Sequence, residues 1–379
     1  MNELGIYIHI PFCIKKCDYC DFVSVKLNDG LIEEYINDLI KEIEIYSKLI
    51  SKYVIDSIFI GGGTPSSIDS KFIGKIFEKL YSSLNIDSKS EITIEVNPGT
   101  INKKKLEAYK DFGINRISLG AQSLNDKILQ NIGRIHNEQD ILNTIKLIKL
   151  EGFDNINSDL MIGLPEQTLH DVISSLEEIV ELNLTHISLY SLIIEEGTKL
   201  YKLEQNGKLN LPNEDEERLM YHEAKKLLEK NGYRQYEISN FSKPNFECKH
   251  NLKYWTLKPY IGIGLNSHSN IWNYRYWNYS NFKEYHNYLM KGKLPIGNKE
   301  YINTISKITE FMILGIRLNS GINREEFKRV FGTDMDYYYK DAIQKNINNG
   351  LIFDDGKNIK LTSKGLDLSN IVELDFYLT

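Results

Sequence analysis

The stretch Tyr7-Ile8-His9-Ile10-Pro11-Phe12-Cys13-Ile14-Lys15-Lys16-Cys17-Asp18-Tyr19-Cys20-Asp21-Phe22 sets the terms for the rest of the 379-residue chain. A short apolar run leads directly into three of the chain's four cysteines, which fall within eight residues and are spaced C-x3-C-x2-C. A structural zinc ion normally takes four ligands from two paired clusters. Three thiolates in one loop instead suit three irons of a [4Fe–4S] cube, with the fourth iron left open to a ligand. The alternatives are a chance cluster or a three-cysteine zinc site completed by His9. On the cube assignment, Cys13, Cys17 and Cys20 are the metal ligands.

Bulk composition narrows the setting. Hydrophobic residues make up 41% and charged residues 26%, so the chain reads as an ordinary globular protein with enough length for a large core and a smaller module. Lys and Arg number 46 against 52 Asp and Glu, a formal charge of −6. That balance offers no general attraction to nucleic acid or to anionic lipid. Clustered thiols with only Cys248 besides point to a reducing compartment rather than a disulfide frame. The first residues lack a basic region followed by an apolar one, and no run of about 18 apolar residues appears. A cytoplasmic protein is expected, with peripheral membrane contact and a dimer left open.

Downstream of the opening stretch, strand-like and helical runs alternate. Strands are expected at Ile6–Ile10, Ser57–Ile60, Glu91–Val96, Arg116–Ala121, Asn155–Ile162 and His186–Leu192. Helices are expected between them at Leu31–Ile50, Ser70–Leu84, Lys103–Phe112, Glu138–Glu151 and Leu169–Leu182. Such alternation predicts an α/β fold with parallel strands and helices outside. Six units are too few for a closed eight-stranded barrel, so a partial (β/α)6 barrel follows. Several strands also alternate apolar with polar residues. Ile92, Ile94 and Val96 oppose Glu91, Thr93, Glu95 and Asn97, and Ile117, Leu119 and Ala121 oppose Ser118, Gly120 and Gln122. Asn157 with Asp159, and Ser188 with Tyr190, share faces in the same way, as do Tyr7 and His9. With helices over the apolar faces, the polar ones line a cavity, because unpaired buried polar groups are costly.

The chain divides at composition shifts into residues 1–205 (barrel), 206–300 (an extension) and 301–379. Within the extension Glu214–Asn231 is expected as a helix, Tyr233–Phe241 as a strand, and Phe246–Tyr279 is dense in aromatic residues. The last part reads as helices Thr304–Arg317, Arg324–Phe331 and Asp334–Asn348, then a hairpin around Asp355-Gly356, a winged-helix-like module. It lacks a basic stripe, so packing over the cavity mouth is expected of it rather than nucleic-acid binding.

Gly61-Gly62-Gly63-Thr64 follows the second strand, where consecutive glycines let backbone approach a ligand closely, or simply make a tight turn. Glu95, Gln122, Arg134 and Asp159 suit a nucleoside–amino acid cofactor: a carboxylate takes a ribose diol or an ammonium, and arginine grips a carboxylate. Arg134, in Gly133-Arg134-Ile135-His136, has no strand parity to place it. His250-Asn251-Leu252-Lys253-Tyr254-Trp255 joins a common iron ligand to rings that could stack on a porphyrin, or forms an aromatic core around a hydrogen-bonded histidine.

The cysteine spacing resembles the signature of radical S-adenosylmethionine (SAM) enzymes. Taken in order, Tyr7–Phe22, Gly61–Ser66, Glu95–Gly99, Asn115–Ser123, Gly133–His136, Asp159–Pro165 and Glu237–Phe241 resemble the oxygen-independent coproporphyrinogen III oxidase-like (HemN) family over nearly the whole chain. The resemblance implies a [4Fe–4S] cluster on Cys13, Cys17 and Cys20. It further implies bound SAM contacted by Tyr7, Tyr19, Gly62, Gly63, Thr64 and Glu95. Gln122, Arg134 and Asp159 match positions that meet a second SAM in the oxidase branch. That branch carries a fourth cysteine two residues after the third, where this chain has Phe22. The other branch, the HemW-like haem chaperones, resembles this chain in that loss and in the His250–Trp255 motif. The resemblance therefore implies haem as a further cofactor, His250 as its contact, and recipient haemoproteins at the membrane as partners. It implies reductive SAM cleavage without coproporphyrinogen oxidase activity, although oxidative decarboxylation of coproporphyrinogen III is the alternative.

Overall fold

The computed structural model describes residues 2–378. The alternating segments form six strands: β1 (Asn2–Ile10), β2 (Tyr53–Gly62), β3 (Ile86–Val96), β4 (Arg116–Gln122), β5 (Asn155–Ile162) and β6 (His186–Ser191). They pair in chain order and all in parallel, as short β/α crossovers require. Helices Asp29–Leu49, Ser70–Ser83, Lys103–Asp111, Glu138–Leu150 and Leu169–Glu181 connect them. Asn28, Asp69, Asn102, Asn137 and Thr168 start these helices by accepting a backbone N–H of the first turn. The apolar strand faces, Ile6, Ile8, Ile60, Ile94, Leu119, Ile162 and Leu189 among them, are buried in one large core with the helices. At roughly 1.5–3 kcal/mol per fully buried aliphatic side chain, that core holds the barrel wall. The opposite faces are left toward the lumen.

Residues 206–300 add strands to both edges of the same sheet. β7 (Arg234–Glu237) and β8 (Asn240–Ser242) run antiparallel, with β8 against β6. The expected single strand Tyr233–Phe241 is thus two strands, broken by the turn at Ile238-Ser239. On the far edge β9 (Tyr260–Ile263) pairs in parallel with β1, followed by the meander β10 (His268–Ile271), β11 (Tyr274–Asn278) and β12 (Ile296–Tyr301). The result is one twelve-stranded sheet.

Helices Thr304–Gly315, Arg324–Phe331 and Asp336–Asn348 pack with a three-stranded sheet around a second core that includes Met312, Phe327, Ile343 and Ile359. Strands Ile352–Asp354 and Asn358–Leu361 turn at Asp355-Gly356, where Gly356 takes a φ of +81°. This winged-helix-like module docks away from the cavity mouth, contrary to expectation. Asn319 bonds Tyr236 and Gln235 on β7, Arg317 lies 4.6 Å from the Trp255 ring, and His222 meets Asp367 at 2.9 Å. The sequence identifies the module but carries no signal for which end of the barrel it meets.

Candidate functional site

The cysteine loop leaves β1 at Ile10 and crosses the C-terminal ends of the strands. Phe12–Cys13 pairs with Val25–Lys26, and the glycine turn after β2 grips the loop through Gly63 N to Ile10 O (2.9 Å) and Thr64 N to Phe12 O (2.8 Å). A Cβ at Gly63 would stand 2.8 Å from the Phe12 carbonyl, and Gly62 takes a φ of +110° against His9. The glycines are therefore needed for the loop to approach, and the N–H groups of Gly62, Gly63 and Thr64 bond within the protein. Beneath the loop lies a cavity of about 520 Å³. Cys13, Cys17, Cys20, Tyr19, Gly62, Gly63, Thr64, Glu95, Gln122, Arg134 and Asp159 all line it.

The donor set, three thiols on one loop, suits a cube in which three irons would each take one thiolate. Among the described residues no three His, Cys, Asp or Glu side chains converge closely enough to hold one metal. Thiolates on three different irons need no such convergence. His9 is not available as a zinc ligand, since Nε2 bonds the Val23 carbonyl at 2.9 Å and Nδ1 the Tyr7 hydroxyl at 3.0 Å. Two of the three thiols, Cys13 and Cys17, receive donors suited to an anionic sulfur. Thr64 donates toward Cys13 Sγ at 3.6 Å, and Arg134 Nη1 toward Cys17 Sγ at 3.3 Å. Burial pushes the Cys13 thiol up and Cys20 up to about 11, a cost that iron coordination would offset. Cys248 is remote, fully buried, and donates to Glu91 at 3.4 Å.

The polar side chains behind the cysteines make a wall of ionisable groups. The carboxylate of Glu95 accepts the Gly62 N–H at 3.0 Å, and burial, reinforced by Asp159, pushes it up to about 8. Asp159 accepts from Asn157 at 2.7 Å; burial raises it, against hydrogen bonds and two arginines that lower it. Arg134, which parity could not place, returns to the cavity after the short helix Asp126–Asn131 and donates to Cys17, to Asn97 at 3.0 Å and to the Gly120 carbonyl. Gln122 sits at a bulge with φ +70°, an uncommon left-handed conformation for a side-chain-bearing residue. Tyr7 stands apart, tied to His9 and stacked 6.3 Å from Phe59 rather than lining the cavity.

The floor is a different construction. Helix Lys249–Trp255 closes the N-terminal end of the barrel, where Glu91 accepts the N–H groups of Lys249 and His250 at 3.1 Å each. Lys253 reaches Asp56 at 2.7 Å. His250 is 1% exposed, with Nδ1 on Ser57 Oγ and Nε2 on the Tyr254 hydroxyl, both at 3.0 Å. Burial lowers its pKa to about 3, so the ring stays neutral. This placement differs from a ligand poised for iron: both nitrogens are committed and neither faces the cavity. Its neighbour Asn251 does line it.

Arg116 and Phe59 also line the lumen, beside Asn97, Ser118, Asn157, Ser188 and Tyr190, whose shared strand faces predict that placement. Arg116 shares the parity of Ser118 and Gln122, which was enough to find it.

Comparison with known proteins agrees with this geometry. Residues 7–179 match the radical SAM superfamily and residues 303–368 the HemN C-terminal domain. The protein named Heme chaperone HemW from Lactococcus lactis subsp. lactis is 38% identical over 98% of this chain and 97% of its own. Its namesake from Bacillus subtilis is 35% identical over 97% of each chain. Among solved structures, Escherichia coli coproporphyrinogen III oxidase (HemN), described as a radical SAM enzyme, superposes with a TM-score of 0.88. It covers 99% of this chain and 90% of that one at 22% identity, a likeness of fold.

Proposed function

The chain belongs to the HemW haem-chaperone family of radical SAM proteins, and on that premise we propose that it binds haem and delivers it to haemoproteins at the membrane. Membership of the radical SAM superfamily implies a [4Fe–4S] cluster and SAM, and Cys13, Cys17 and Cys20 are the residues proposed to hold the cluster. When bound, the cluster supplies the electron for reductive cleavage of SAM. The chain's own residues prepare the place. Arg134 sets a positive charge against Cys17, while Glu95 and Asp159 offer acceptors to a cationic or hydroxylated ligand. Gly62, Gly63 and Thr64 form the adjoining wall, Tyr19 and Gln122 close the sides, and Tyr7 supports the strand below.

The observation that carries the proposal is the near full-length identity to proteins named heme chaperone, joined to one residue at the mouth. Phe22 is 58% exposed there, at the position of the oxidase branch's fourth cysteine. With Ile193 and Tyr190 it gives the rim an apolar edge on which a porphyrin face can lie. His250 contributes in this arrangement by holding the floor, and direct iron contact through it would require its ring to leave Ser57 and Tyr254. Among the described residues no helix is long and apolar enough to cross a membrane.

The test is an anaerobic assay of the reconstituted protein with coproporphyrinogen III, SAM and a reductant. No propionate-to-vinyl conversion is expected. Conversion at catalytic turnover would replace this proposal with the oxidase function.

A further inference from the structure

Arg116 opens β4 on the lumen face, at the depth where the cavity meets its floor. It lines the cavity yet is only 1% exposed. Among the described residues its guanidinium makes no hydrogen bond and no ion pair within 4.0 Å, and Nε is buried without a partner. Thr93, its register partner on β3, is likewise buried with an unpartnered hydroxyl. Arg134 at the mouth is the counter-example, with its terminal nitrogens bound to Cys17, Asn97 and Gly120.

The acidic groups nearest Arg116 are occupied elsewhere. Glu91 accepts from Cys248, Lys249 and His250, and Asp159 from Asn157. They offset the arginine's charge at a distance and leave its planar fork free. An arginine stays charged when buried, and five donors in a fixed plane match a carboxylate in two parallel bonds. Ser118, Asn157, Ser188 and Asn251 surround the same volume with hydroxyl and amide groups. With two carboxylates already close, the site favours an anion of single charge over a phosphate dianion.

We infer that Arg116 is an anion-binding residue, taking a carboxylate of the molecule that fills the cavity. The methionine end of SAM and a propionate of haem present the same chemistry. The inference stands on the cavity itself and does not need the haem proposal.

The test pairs each candidate with its carboxyl-free form: haem with haem dimethyl ester, and SAM with decarboxylated SAM. Each is titrated into the reconstituted wild type, Arg116→Gln and Arg116→Lys. In one pair the wild type is expected to prefer the acid by about tenfold or more, as a desolvated charge-assisted bond implies. That preference should fall close to unity in Arg116→Gln and partway in Arg116→Lys, while the carboxyl-free form binds all three proteins alike. The pair that responds identifies the source. A wild type without preference in either pair overturns the inference without any variant, as does a preference that survives in Arg116→Gln in every pair that shows one. If Arg116→Gln fails to fold, Arg116→Lys decides, since it keeps the charge and loses the fork. Haem that fails to bind at all would remove the proposed function and leave the SAM pair as the test of Arg116.

Discussion

The two ends of the barrel are built on different principles. The mouth comes from short contiguous stretches, most of residues 13–22 with Gly62, Gly63, Thr64 and Arg134, which line an open cavity. Burial raises Cys13, Cys20, Glu95 and Asp159 there. The floor brings together residues far apart in the chain, Ser57, Glu91 and His250, and ties them to one another by hydrogen bonds. One end is prepared for a ligand, the other holds the strands closed. The His250–Trp255 motif, expected at a haem, is part of the closure.

This contrast predicts that substitutions at the two ends separate cofactor loading from stability. The largest effect is expected from Cys17→Ala, which should abolish cluster assembly, with iron content and cluster absorbance after anaerobic reconstitution near background. Its unfolding free energy in urea should change by no more than about 1 kcal/mol, because the thiol is only half-buried. A variant that keeps a full cluster would break the comparison at the mouth.

His250→Ala should do the reverse. Two hydrogen bonds are lost and Ser57 and Tyr254 are left unpaired, a destabilisation of about 2–4 kcal/mol by urea unfolding. The folded fraction should still load iron like the wild type. A variant of unchanged stability would take the histidine out of the closure.

The smallest effect sharpens the comparison by pH. Glu95 holds its proton up to about pH 8 in the folded chain, against an ordinary 4.5. Between those values the folded state binds a proton that the unfolded state has released, so stability falls as pH rises and levels off above about 8. Glu95→Gln should remove this slope. The cluster-free variant should gain on the wild type by roughly 2 kcal/mol at pH 8 and by almost nothing at pH 4, after allowance for solvent screening. Parallel pH profiles would mean that Glu95 is ionised in the folded protein.

What the sequence discloses follows the same division. Period-two alternation in Glu91–Asn97 and Arg116–Gln122 places the strands and their lumen faces, because a strand's side chains have only two directions to take. The cysteine spacing places the cluster loop for a similar reason: its chemistry is local. Arg134 escaped parity because a loop and a short helix decide its return to the cavity. The floor escaped because the Ser57–His250 and Glu91–His250 contacts span 193 and 159 residues, and the motif alone reads equally as ligand or core. The edge strands of 206–300 were hidden likewise, since pairing with β1 and β6 has no local mark.

The most direct test of the account is a haem titration of the anaerobically reconstituted protein, followed by absorbance and by iron content before and after haem. About four irons per chain are expected from the cluster, then saturable uptake of haem with the cluster absorbance retained. Failure to take up haem, or loss of the cluster as haem binds, would contradict the account.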